Sequence, residues 1–314
     1  MAADFSTAHL IAIDWGTSRL RAWLVDAGGK ELDERESDEG IGALAGGHEA
    51  AFEEITAGWP KVPAILAGMI GSRQGWREAA YVPCPAAVSH LAERLLRFRT
   101  AAGQDIAIVP GLMADAPERD GDVIRGEETQ LIGLSDSEPD FAGVAILPGT
   151  HSKWAAMDRG TVRTFQTFIS GELFALLAHQ SFLRHSVAEG IEDLAAVPDF
   201  TLAVTRIVED RLPFAAALFS VRTRYLLADT PRDQNLAYLS GLVIGGEIAA
   251  ALQAGLLRAG APVRIIASTG LANAYRAALA VAKVDAEVRD GGKLVLTGLM
   301  HIARTIGWIK GKAA

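Results

Sequence analysis

Ile11-Ala12-Ile13-Asp14-Trp15-Gly16-Thr17-Ser18-Arg19 is an apolar run of strand character that breaks at Gly-Thr and resumes as a second apolar run, Leu20 to Asp26. The outline returns at Val144-Ala145-Ile146-Leu147-Pro148-Gly149-Thr150-His151-Ser152-Lys153, about a domain's length further on. Glycine lets a backbone approach a ligand with its N–H groups exposed, and threonine and serine add hydroxyl donors, so each turn can form an oxyanion nest. One Gly-Thr after a strand is an ordinary turn. Two in corresponding places, only the first led by an aspartate, predict a pair of phosphate cradles, with Asp14 at a strand end holding hydrated magnesium beside the phosphates. The doubling therefore predicts an α/β protein of two related lobes with an ATP cleft between them.

Composition narrows the partners. The chain has 314 residues, 50% of them hydrophobic, which suits two domains with buried cores. A net charge of −8 with no basic stripe argues against nucleic acid. Cys84 is the single cysteine, excluding an internal disulfide or a thiolate metal cluster and fitting a reducing, cytoplasmic setting. The seven histidines form no ligand-spaced pair. Met1 to His9 lacks the basic start and apolar core of a signal peptide. Leu236 to Leu257 is the most membrane-like stretch, yet it contains Glu247, Gln253 and many small residues, so it reads as a buried helix and no membrane is expected. Oligomeric state leaves no trace in the sequence.

The pattern places an N-terminal lobe over 1–138 and a C-terminal lobe over 139–314, divided at the polar stretch Ser135 to Asp140. In the first, three antiparallel strands (Leu10 to Asp14, Leu20 to Asp26, Glu31 to Ser37) precede a helix over Gly47 to Ala57. Strands at Pro63 to Ala67 and Asp105 to Val109 then flank a helix over Ala86 to Phe98. The second repeats the opening with Gly143 to Pro148, Lys153 to Asp158 and Thr161 to Phe168. Gly171 to Leu227 reads as a helical insertion. The helix Leu236 to Leu257 carries Gly241 and Gly245 for close packing, strand Val263 to Ser268 leads to helix Leu271 to Val281, and a last helix covers Lys293 to Ile306.

Phosphoryl transfer needs the phosphoryl group and acceptor held in line, a metal, donors for the equatorial oxygens and a carboxylate to take the hydroxyl proton. Glu127, in the first turn of a helix starting at Arg125-Gly126, is the candidate base, although acids are favoured at any helix N-terminus by its dipole. Gly68 to Trp76 follows a buried strand, and Gly71, Ser72, Arg73, Gln74 and Trp76 could supply a carboxylate clamp, hydroxyl partners and a flat apolar wall for an anionic sugar acid. The competing reading is a surface loop with a solvated Arg73. Arg19 beside the first turn can meet substrate or phosphate, while Arg21 on the same strand face pairs with an acidic neighbour. Lys153 matches Arg19 in position and is a candidate for the β- or γ-phosphate. His151 fits either a phosphate contact or a structural role. Trp15 and Trp154 read as packing behind the turns, and Cys84 as an inert buried thiol.

These motifs resemble the superfamily of sugar kinases, actin and heat-shock chaperones, whose members carry a first phosphate loop, a connecting helix, a second phosphate loop and an adenosine loop in that order. The counterparts are Asp14 to Arg19, Gly126 to Leu134, Leu147 to Lys153, and Ile265 to Asn273. The resemblance implies two ribonuclease-H-like lobes, ATP and Mg2+ as cofactors, Asp14 and Glu127 as catalytic groups with Glu128 second to Glu127, and Asp14 as the metal ligand. It further implies Gly16, Thr17, Gly149, Thr150, His151, Ser152 and Lys153 at the phosphates, Thr269, Gly270 and Leu271 at the adenosine, and Ser18 and Arg19 with the Gly71 to Trp76 loop at the substrate. Gly126-Glu127-Glu128 also resembles the Gly-x-Glu-Glu run of exopolyphosphatases, and Ser268-Thr269-Gly270 departs from the usual double glycine.

Ile13 to Arg19, Ala67 to Trp76, Tyr81-Val-Pro-Cys-Pro85, Leu147 to Trp154 and Phe168-Ile-Ser-Gly-Glu-Leu-Phe174 are more specific, and in these the chain resembles the 2-dehydro-3-deoxygalactonokinase family over nearly its whole length. That resemblance implies phosphorylation of the terminal (C6) hydroxyl of a 2-keto-3-deoxy sugar acid in galactonate catabolism. Three alternatives stay open: a kinase for the gluconate epimer or another sugar acid, an exopolyphosphatase-like hydrolase, and an ATP-switched binding module.

Overall fold

β1 (Ala8–Trp15) and β2 (Leu20–Asp26) pair antiparallel through the first Gly-Thr turn, with Asp14 opposite Arg21 and Trp15 opposite Leu20. Leu10, Ile11, Ala12 and Ile13 are all at most 1% exposed, so both faces of β1 are covered. β3 (Glu31–Ser37), charged along most of its length with Leu32 its one apolar residue, closes one edge against β2, as an edge strand should. α1 (His48–Ile55) follows, then β4 (Ala64–Gly68), buried throughout and parallel to β1, as its continuous apolar run requires. The computed structural model describes residues 5–42, 44, 46–115, 120–257 and 260–311; of the N-terminal stretch read for a signal peptide, residues 1–4 lie outside the described residues.

After β4 come a 3₁₀ turn Met69–Gly71, β5 (Tyr81–Pro83), β6 (Ala86–Ala87), α2 (Val88–Glu93), β7 (Leu96–Arg99), β8 (Asp105–Ile108), β9 (Gly111–Ala114), β10 (Asp122–Ile124) and α3 (Glu127–Ser137). The helix expected over Ala86 to Phe98 is thus cut to its middle. Leu96-Arg97-Phe98-Arg99 has the alternation of a strand, and it pairs antiparallel with β8, Phe98 facing Ile106. The first sheet runs β3-β2-β1-β4-β8-β7, and a small sheet of order β10-β9-β5, unforeseen from the sequence, leads straight into Arg125 and Gly126.

The outline then repeats. β11 (Ala142–Leu147), β12 (Ser152–Asp158) and β13 (Thr161–Phe168) are followed by α4 (Ser170–Ala175), a π-turn and two 3₁₀ turns, α5 (Pro198–Val208), α6 (Phe214–Leu227), α7 (Arg232–Gln253), β14 (Val263–Ile266), α8 (Thr269–Val281) and β15 (Ala286–Arg289). The sheet order β13-β12-β11-β14-β15 matches β3-β2-β1-β4-β8 position for position, the duplication the two Gly-Thr turns foretold. β11, β14 and β15 are mutually parallel, as are β1, β4 and β8. α7 is a core helix; the most apolar part of it is 78% buried. Its Gly241 and Gly245 face α5, where a methyl on Gly241 would overlap the Phe200 carbonyl.

By their contacts the residues form two compact units, one of Met1–Phe141, Asp158–Thr164 and Gly291–Ala314, the other of Ala142–Met157 and Phe165–Asp290. The division at Phe141 lies close to the expected boundary, but the last helix, α9 (Gly291–Thr305), belongs to the first unit, not to a C-terminal lobe over 139–314. Its glycine-lined face is the cause. Gly298 of α9 lies against the Thr129 carbonyl, Gly133 of α3 against the Leu294 carbonyl, and His301 Nδ1 is 2.6 Å from Asp136 Oδ1.

Candidate active site

In the first unit Asp14 and Gly68 lie at the carboxyl ends of β1 and β4, the end of a parallel α/β sheet at which ligands generally bind. Register places Asp14 beside Ala67 and Trp15 beside Gly68. Gly68 has φ 92°, and a side chain there would press on the Trp15 carbonyl at 2.6 Å, so only glycine lets the two strand ends run so close. The start of α3 covers this point, since a Cβ on Gly126 would stand 3.4 Å from Gly68 Cα. Asp14 is paired with Arg21 at 3.2 Å and keeps 25% of its side chain exposed. Burial raises its pKa, the Arg21 guanidinium opposes that, and the charge of Glu127 adds to the rise, which brings Asp14 and Glu127 into one electrostatic site.

The two glutamates of α3 have opposite environments. Glu128 is 0% exposed; its Oε2 accepts the Gly126 N–H at 2.6 Å and its Oε1 has no partner among the described residues. Burial first, and the Glu127 charge second, push its carboxyl up to about 8, which favours its protonated form. Glu127 is half-buried and accepts the Arg125 N–H at 3.2 Å. Of the pair, only Glu127 is accessible.

The first Gly-Thr turn is closed by the Gly16 N–H on the Arg19 carbonyl at 2.9 Å, with the Thr17, Ser18 and Arg19 side chains exposed. It is braced from outside by Gly40 to Gly42. The Ile41 and Gly42 N–H groups donate to the Gly16 and Thr17 carbonyls at 3.0 Å each, and a methyl on Gly40 would overlap the Thr17 carbonyl. Trp15 is fully buried with its indole N–H on the Glu39 carbonyl at 2.9 Å, packing behind the turn as expected.

The Gly68 to Trp76 loop divides. Gly71 and Ser72 are buried, and the Ser72 hydroxyl has no partner among the described residues. Arg73 and Gln74 are exposed, with Arg73 paired to Glu78 at 3.0 Å. Trp76 does not form the expected apolar wall: its ring packs against Phe52 and Phe98 at centroid distances of 5.7 and 5.1 Å, committed to the core. Arg125, missed by the sequence reading, lies against Gly71, where a Cβ would stand 2.8 Å from its Nη1. Its guanidinium sits 4.4 Å over the Tyr81 ring and donates to the Ala79 carbonyl at 2.7 Å, leaving Nε and Nη1 buried without partners among the described residues.

In the second unit Gly149, Thr150 and His151 are exposed at the end of β11. Here too a glycine from elsewhere braces the turn: a methyl on Gly171 would overlap the Gly149 carbonyl, and the Glu172 N–H donates to the Thr150 carbonyl at 2.9 Å. His151 Nε2 is 2.7 Å from Glu172 Oε2. Ser152 turns inward, its hydroxyl on Glu247 at 2.7 Å, so its side chain is directed away from a phosphate. Lys153 is largely buried and Trp154 packs behind the turn. α8 begins after β14, parallel to β11, so Thr269 and Gly270 are exposed at the same sheet end as Gly149, while the Leu271 side chain packs on the core.

Comparison with known proteins shows the family. A family model described as 2-keto-3-deoxy-galactonokinase matches residues 14–302. A Rhizobium meliloti (strain 1021) protein named "Probable 2-dehydro-3-deoxygalactonokinase DgoK1" is 38% identical over 309 residues, 96% of this chain and 98% of its own. The Escherichia coli (strain K12) 2-dehydro-3-deoxygalactonokinase is 34% identical over 303 residues, 96% and 99% of the two chains. A crystal structure from Sinorhizobium meliloti, 38% identical, superposes with a TM-score of 0.87 over 95% of this chain and 97% of that one.

Proposed function

Since the chain belongs to the 2-keto-3-deoxy-galactonokinase family, we propose that it transfers the γ-phosphoryl group of ATP to the C6 hydroxyl of 2-dehydro-3-deoxy-D-galactonate, in galactonate catabolism. The observation that carries the residue roles is the contrast at the start of α3, where a buried Glu128 stands next to a reachable Glu127 in the field of Asp14.

Among the described residues no cluster of three acidic, histidine or cysteine side chains could cage a metal. Magnesium that arrives with the nucleotide needs only one or two carboxylates, its other positions being water and phosphate, and a partly exposed Asp14 fits that demand. When bound, the ion neutralises charge on the phosphates. Glu127 accepts the proton of the C6 hydroxyl as that oxygen bonds to the γ-phosphorus and the bond from the γ-phosphorus to the bridging oxygen of ADP breaks. The Gly16-Thr17 and Gly149-Thr150 turns offer N–H and hydroxyl donors to the phosphate oxygens, with Ser18, Arg19, His151 and Lys153 around them. Thr269, Gly270 and the backbone of Leu271 serve the adenosine end. The sugar acid is held by the Gly71 to Gln74 segment, with the exposed Arg73 as the cation for its carboxylate. A cytoplasmic setting belongs to the same proposal.

Glu127→Gln and Asp14→Asn test the roles. Each is expected to lower kcat by about 10²- to 10⁴-fold while the chain stays folded by circular dichroism. Near-normal turnover in Glu127→Gln would remove it as the base.

A further inference from the structure

Glu247 is the one acidic residue between Leu236 and Gln253, in the long apolar helix α7, and it is 3% exposed. Taking a carboxyl group out of water is costly and persists where several donors converge on it. Here four do. Oε1 accepts from Ser152 Oγ at 2.7 Å and from Trp154 Nε1 at 2.6 Å, Oε2 accepts from the Tyr275 hydroxyl at 2.7 Å, and the Ser170 hydroxyl adds a fourth bond. The apolar packing of α7 is made by other residues, among them Gly241, Ile244, Gly245 and Ile248.

The donors come from three separate segments, and each leads to a different part of the nucleotide reading. Ser152 and Trp154 open β12, directly after the Gly149 to His151 turn. Ser170 starts α4, whose next residue Gly171 presses on the Gly149 carbonyl and whose Glu172 N–H holds the Thr150 carbonyl. Tyr275 lies in the second turn of α8, whose exposed start is Thr269 and Gly270. We infer that Glu247 is a positioning residue for nucleotide binding, a single acceptor that fixes the second phosphate turn, its Gly171 brace and the start of α8 relative to one another. This rests on the reading above that those segments bind ATP.

Calorimetric ADP binding by the full chain, with steady-state KM for each substrate, tests it. Tyr275→Phe and Ser170→Ala each remove one hydroxyl with little change of volume and are expected to weaken ADP binding about three- to tenfold, leaving KM for the sugar acid within about twofold. Glu247→Leu removes the whole acceptor and is expected to lose more than about tenfold; where it does not fold, the hydroxyl variants decide. Glu247→Gln keeps a carbonyl for Ser152 and Trp154 and an amide that can donate to the Tyr275 oxygen, so it is expected to bind ADP within about threefold of the unmutated chain. Folded hydroxyl variants that bind ADP normally, or that raise both KM values in proportion, would overturn the inference alone. An unmutated chain that binds no ADP would overturn the nucleotide reading and the inference with it.

Discussion

Replacing Glu128 by glutamine should change how stability depends on pH. The folded carboxyl is pushed up to about 8 from a usual 4.5, so between those values the folded chain keeps a proton that the unfolded chain has released. Folding then takes up a proton, and each unit of rising pH weakens the fold by about 1.4 kcal/mol. Below the lower value both states are protonated, and above the upper value both are ionised, so this contribution is flat outside the window. Across it the loss adds to several kcal/mol, on the order of 4–5, and solvent screening takes nothing off because the side chain is fully buried. Glutamine carries no proton and keeps a carbonyl for the Gly126 N–H, so the variant lacks the slope. Urea unfolding at pH 5, 6, 7 and 8 should show Glu128→Gln gaining on the unmutated chain by roughly 1 kcal/mol per unit, with kcat at pH 7 within about threefold. A stability difference that stays flat, or grows as pH falls, would refute the neutral Glu128 and reopen its claim to be the base.

Two more substitutions address the turns and the substrate loop. Gly40→Ala and Gly171→Ala put a methyl into the Thr17 and Gly149 carbonyls, so each should raise KM for ATP by about tenfold or more with KM for the sugar acid much less changed; unchanged ATP kinetics would show that the braces do not set the turns. Arg73→Ala breaks only an exposed pair with Glu78, so stability should move by less than about 1 kcal/mol while KM for the sugar acid rises at least about fivefold; an unaltered KM would leave Arg73 a solvated surface residue.

The parts of the fold readable in the sequence are those whose cause is local. The runs Leu10 to Trp15 and Val144 to Leu147 announce buried strands, their Gly-Thr breaks announce the turns, and Gly241 with Gly245 announces a close helix contact. Phe98 misled because a short edge strand next to a short helix was read by composition, although Leu96 to Arg99 alternates. Trp76 was read as a ligand wall from its neighbours in sequence, whereas Phe52 and Phe98, distant in the chain, claim its ring. The assignment of α9 failed for the same reason, its partner α3 lying far back in the chain.

At the proposed site, Asp14 stood out by its place at a strand end, whereas Glu127, at a helix start where acids are common, stood out only through the family resemblance. Glu127 and Glu128 were not separable from sequence, since adjacent positions differ only in which face of α3 is covered. Arg125 was visible only as part of a quoted run, its value depending on Tyr81 and Gly71. Glu247 counted merely as evidence against a membrane helix; its four partners span Ser152 to Tyr275 and meet only in the folded unit.

The central claim is acceptor-dependent phosphoryl transfer, and the direct measurement is ADP formation from ATP and magnesium with 2-dehydro-3-deoxygalactonate, its gluconate epimer, a neutral hexose or no acceptor. Rapid turnover is expected with the galactonate-derived acid, with one phosphate on C6 of the product by phosphorus NMR, and negligible turnover with the hexose or without acceptor. Phosphate release at the same rate with no acceptor present would contradict it and favour a hydrolase.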